Sequence, residues 1–261
     1  MADSWSKVVS LVTRFRSKSV PAGELRADDS EVGNMPDGHP AVSSGRHAAR
    51  CPFLAQAEEG AHPSRPARPV PLNVIDRTHH PSKATRDLLA SIGGRDRLLG
   101  VTSRFYPKMF RDRQLSLFVQ NFEDPHPERL ADWIAEKMSG RAYWSSQLSS
   151  RQPDQPQDRS HAHYLAWHSP KRPRSQWGDH FKLDDAIMWM RLMFWSCREE
   201  GLDSEPFLGW YRQFIGHFIR VYSSKAPPFV LAAVEWSLDP ANLGKYEADG
   251  WLMKDVVGMG R

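Results

Sequence analysis

Cysteine is scarce in this chain of 261 residues, which contains only Cys51 and Cys197. Two thiols cannot build a disulfide-dense scaffold, so a reducing compartment is the default expectation. No apolar run approaches the ~20 residues that a membrane-crossing helix needs, and no membrane span is expected. A basic excess is missing as well. Residues 1–86 carry 12 Lys+Arg against 9 Asp+Glu, and the rest carry 23 against 22. A nearly neutral second part offers no electrostatic footprint for nucleic acid. The N-terminus has no secretory apolar core, and the expected location is cytoplasmic. One stretch leaves organellar import open: "SWSKVVSLVTRFRSKS" is basic, with Trp5, Val8, Val9, Val12 and Phe15 at helical spacing. It fits a transit peptide, a surface-binding helix or a short solvated helix.

What is present is unevenly spread. Residues 1–86 hold nine of the twenty prolines and one of the ten tryptophans, Trp5. This composition predicts a mostly disordered leader over 1–86, a globular domain over 87–240 and a C-terminal extension over 241–261. Cys51, in "RCPFLA", lies within the leader; a plain linker is the simple reading of that Cys-Pro pair.

The period after Asp87 is helical, and no segment alternates convincingly with period two, so the fold class is all-α. "DLLASIGG" reads as a short helix stopped by Gly93-Gly94. In "RDRLLGVTSRFYPKMF", Leu98, Leu99, Thr102, Phe105, Tyr106 and Met109 share a face, and Pro107 predicts a local kink beside Tyr106. "DPHPERLADWIAEKMSG" carries a stripe of Leu130, Trp133, Ile134 and Met138. Proline-broken loops flank the two-turn helix "HAHYLAWH", and two longer helices follow, "LDDAIMWMRLMFWSCREEGL" and "PFLGWYRQFIGHFIRVYSS".

Three histidines, His161, His163 and His168, crowd the short helix. Zinc would want three or four ligands, and this piece offers no Cys or carboxylate to complete a set. A porphyrin iron needs a single axial imidazole, because the macrocycle supplies the other four nitrogens.

The wording of the segments is specific. "ASIGGRDRLLGVTSRFY", "PERLADWIAEKMSG", "HAHYLAWHSP" and "WMRLMFWSCREEGL" together resemble, in order, the truncated globins (2-on-2 haemoglobins), closest to the second group. The resemblance covers roughly residues 87–222. It implies a truncated-globin-like helical sandwich, here with loop insertions and an extended leader, holding haem b. It makes His168 the proximal ligand and the metal residue. It makes Tyr106 the distal tyrosine, Trp189 a second donor, and His126 a donor, gate or sixth ligand. Phe118 (or Val119, one register away), Leu130, Trp133 and Met193 would line the haem. The chain departs from the pattern at Ala162, at Ser139-Gly140 and in the 21-residue step from His168 to Trp189. Leu165 and Trp167 stand where the family often has arginines, so Arg129, Lys171 or Arg172 would have to meet the propionates.

The implied function is reversible binding of oxygen, or of NO or CO, at a histidine-ligated haem iron, as carrier or sensor. The alternative is a nitric oxide dioxygenase or peroxidase-like enzyme. That enzyme would need an external reductase, since the chain shows no flavin or nicotinamide domain. A haem-free helical domain is the third reading.

Overall fold

The computed structural model describes residues 69–76, 78–151, 159–219 and 226–259, all within the unit Gly60–Arg261. The N-terminal basic stretch and Cys51 lie outside them. Among the described residues there are eight α-helices: α1 (Lys83–Ser91), α2 (Gly94–Arg111), α3 (His126–Ser139), α4 (Arg159–Trp167), α5 (Leu183–Glu199), α6 (Glu205–Ile219), α7 (Ala226–Leu238) and α8 (Pro240–Ala248). One small antiparallel hairpin pairs β1 (Val74–Ile75) with β2 (Thr78–His79). The protein is thus mostly helical, as the periodicity predicts, and no described helix is long and apolar enough to cross a membrane.

The local signals act where physics places them. Ser82 caps α1, its hydroxyl accepting from the Thr85 amide at 3.1 Å. Gly93 at φ 96° makes the turn into α2, a conformation that would strain any residue with a Cβ. Gly140 at φ 79° closes α3. Pro107 is carried inside α2, which continues to Arg111. The Asp185 carboxylate accepts the Lys182 amide at 2.7 Å, securing the start of α5.

α2 packs on α3 and α5, and α7 packs on α5 and α6. The core between them is aromatic: Phe105, Phe194, Phe207, Trp210, Tyr211 and Phe214 are all fully buried. Burying aromatic side chains of this size dominates the hydrophobic gain of a small domain.

Two predicted boundaries move. The folded domain does not begin at residue 87. His79 is 1% exposed between Trp210 and Phe214, and the Thr85 hydroxyl donates to the Met138 carbonyl at 2.7 Å. Val70 and Leu72 also pack on the core. A proline-rich composition concealed this segment, because its few apolar side chains follow no helical period. Residues 241–259 likewise pack on the domain. Tyr246, Met253 and Val256 belong to the core cluster. The Tyr246 hydroxyl donates to buried Asp112 at 2.7 Å, and the Arg113 amide donates to the Trp251 carbonyl at 3.0 Å.

Candidate functional site

A cavity of about 680 Å³ lies among α2, α3, α4, α5 and α6. That volume falls within the ~300–1,000 Å³ typical of cofactor and small-molecule pockets. Its walls are mainly apolar and aromatic. Tyr106 and Met109 come from α2, Leu130, Trp133 and Ile134 from α3, Trp189 from α5, and Tyr211, Ile215 and Phe218 from α6. Leu115, Phe118 and Val119 close it from the segment between α2 and α3, and Phe181 from the residues before α5.

Six of the eight residues singled out from the sequence line this cavity: Tyr106, Phe118, His126, Leu130, Trp133 and Trp189. Val119 lines it beside Phe118, so both registers are represented. Two residues do not line it. Met193 is 1% exposed within the core cluster, one turn beyond Trp189 but turned into helix packing. His168 also lies off the cavity. Its Nδ1 donates to the Tyr164 carbonyl at 2.8 Å, its ring lies tilted against Tyr164 with centroids 4.2 Å apart, and its Nε2 lies near Gly178.

The imidazole that α4 turns to the cavity is His163. At 3.6 residues per turn, Ala162, His163, Leu165 and Ala166 form one face of α4, and all four line the cavity. His161, Tyr164 and His168 form another. The signal was legible: His163 has small apolar neighbours on its face, whereas His168 shares its face with a tyrosine and another histidine. Motif order singled out His168, which lies on the face of α4 turned away from the cavity. His163 sits edge-on to Phe181 at 5.2 Å, and Phe181 in turn meets Phe118 at 5.0 Å.

A separate aromatic cluster holds Tyr106. Its ring meets Phe105 at 5.1 Å, Phe110 at 5.6 Å and His126 at 5.2 Å, and Phe105 meets Trp189 at 5.3 Å. Burial pushes the Tyr106 phenol above its ordinary range, opposed by the Arg129 charge. Tyr106 is therefore a neutral donor at any working pH. Among the described residues neither its hydroxyl nor the Trp189 indole N–H meets a protein acceptor. Tyr211 is a cavity residue the sequence reading missed, and its buried hydroxyl meets no hydrogen-bond partner among the described residues.

The polar end is compact. Arg129 pairs with Asp124 at 2.7 Å, and Arg151 lies over the Trp144 ring at 5.1 Å; all four residues line the cavity. Of the three predicted propionate partners, only Arg129 reaches this space. Lys171 sits over the Phe122 ring at 3.3 Å. Arg172 is buried against Phe118, outside the main cavity. Arg151 is the second guanidinium group on the cavity.

This donor set fits a haem: an apolar slot, one helical imidazole, two guanidinium groups for carboxylates, and neutral donors in a separate cluster. It does not fit a bare metal ion, since no group of three or more His, Cys, Asp or Glu side chains is placed for one among the described residues. The chain matches no family model, no curated protein and no solved structure.

Proposed function

We propose that the cavity holds haem b with His163, rather than His168, as the iron-binding imidazole, and that the domain binds oxygen or another diatomic gas as a carrier or sensor. The observation that carries this reading is a single α4 imidazole on a large apolar cavity that also takes in the neutral donors Tyr106 and Trp189. Haem would supply the iron that binds the small ligand. The chain's own residues do the rest. Leu130, Trp133, Ile215 and Phe218 exclude water, which protects a reduced metal from oxidation. Arg129 and Arg151 neutralise carboxylates at the polar end. Tyr106 and Trp189 donate hydrogen bonds to a ligand that gathers negative charge. Such donors favour oxygen over carbon monoxide, whose outer atom carries less charge.

The test is haemin titration of the purified chain, followed by its Soret absorption, for wild type, His163→Ala and His168→Ala. Stoichiometric uptake by wild type and His168→Ala, with loss in His163→Ala, is expected. Loss in His168→Ala alone would return the ligand role to that residue. No uptake by the wild type would sink the reading.

A further inference from the structure

A second, smaller cavity of about 310 Å³ adjoins the first across Phe118 and Asp185. Arg113, Arg172 and Lys182 line it, along with Gln114, Gln176 and two carboxylates, Asp184 and Asp185. Arg172 is the unusual member, a guanidinium only 5% exposed. One of its nitrogens, Nη1, donates to the carbonyls of Trp167 at 2.6 Å and Asp179 at 2.9 Å, and its plane lies over the Phe118 ring at 4.6 Å. These partners are neutral. Among the described residues no carboxylate forms an ion pair with it. Buried charges are normally paired, because their desolvation is otherwise uncompensated.

The two acids in the same wall do not fill that role. The Asp184 oxygens accept the amides of Asp185 at 3.1 Å and Gly258 at 2.9 Å. Those of Asp185 accept the Lys182 amide and the Gln114 side-chain amide. These bonds come from neutral amides, and Asp185 feels the Arg172 charge without forming an ion pair with it, so the cavity holds three cations against two carboxylates. Arg172 keeps further N–H donors, and Arg113 and Lys182 bring two exposed cations to the rim. Guanidinium groups recognise planar or tetrahedral oxyanions through paired N–H donors.

We infer that this cavity is a binding site for a small oxyanion, a phosphate or carboxylate group, with Arg172 as its buried counter-charge and Arg113 and Lys182 as its outer contacts. The inference is independent of haem. The site reaches the end of α4 through the Trp167 carbonyl, so occupancy stiffens the junction between α4 and the loop that leads to α5.

The full chain, without added haem, is titrated with inorganic phosphate and separately with succinate, with sodium chloride at matched ionic strength as control, and its thermal midpoint is followed. A saturable rise of about 3–6 °C at ten times the dissociation constant is expected with at least one of the two anions. The anion that gives it names the phosphate or carboxylate source. The Arg113→Gln/Lys182→Gln double variant, altered only at exposed positions, should fold and lose most of that rise. Arg172→Gln should abolish it. A wild-type rise that does not saturate, or that chloride or the double variant reproduces, would overturn the inference.

Discussion

The Tyr106 ring lies nearly parallel to the His126 imidazole, with centroids 5.2 Å apart and planes 24° apart. His126 Nε2 is 2.7 Å from the Asn121 carbonyl, which only accepts, so this nitrogen carries the proton. Burial lowers the imidazole pKa below its ordinary value, against the Asn121 bond that raises it. His126 is therefore a neutral ring that buttresses Tyr106, with its donor committed elsewhere.

The haem-loaded ferrous protein without gas should accordingly show a five-coordinate spectrum, unchanged in His126→Ala. A six-coordinate low-spin spectrum that disappears on this substitution would show that the ring swings to the metal.

Tyr106→Phe removes a hydrogen bond to a charge-bearing acceptor, worth roughly 1.5–3 kcal/mol. Oxygen release should speed up about ten- to hundredfold, at ~1.4 kcal/mol per decade. Carbon monoxide release should change much less. Trp189→Phe should act in the same direction, and the double variant should be less than additive if both donors serve one ligand atom. Stopped-flow displacement measures all three; equal acceleration for both gases would indicate a packing defect.

Tyr211→Phe deletes a buried hydroxyl that has no partner among the described residues. Removing a bonded hydroxyl costs about 1 kcal/mol, whereas removing an unsatisfied one is neutral or stabilising. Urea unfolding of the haem-free chain should therefore show no loss. A decrease of 1 kcal/mol or more would mean that the hydroxyl is bonded in solution.

His79 gives the domain an acid-sensitive clasp. Burial, with the positive fields of His217 and Lys137, lowers its pKa to about 4, against backbone groups of Asn73 and Lys137 that raise it. The unfolded chain protonates this residue near 6.5, so its stabilising contribution is complete above 6.5 and is lost as the pH falls towards 4. Between pH ~7.5 and ~5 the loss is about 2 kcal/mol. His79→Phe, which suits the Trp210–Phe214 surroundings, should flatten the urea-midpoint profile over that interval. An unaltered slope would assign the acid sensitivity to other groups.

Helix period and stop signals made α2, α3, α5 and α6 legible, because Gly93 and Gly140 act locally and the apolar stripes are long. The resemblance carried along those helices named Tyr106, Leu130, Trp133 and Trp189, and all four line the cavity. What failed was phase and distance. On α4, two turns long, three histidines lie close together, and of them only His163 shares the Ala162–Ala166 face that lines the cavity. His79 and Tyr246 owe their places to partners far away in sequence, for which no local pattern exists.

The Tyr246–Asp112 bond spans 134 residues. Asp112 closes the helix that carries Tyr106, so on a ribosome this helix is made long before the hydroxyl that holds its end. At 5–20 residues per second the wait is on the order of ten seconds. The cavity wall that carries Tyr106 thus gains this anchor only after 134 further residues have been made.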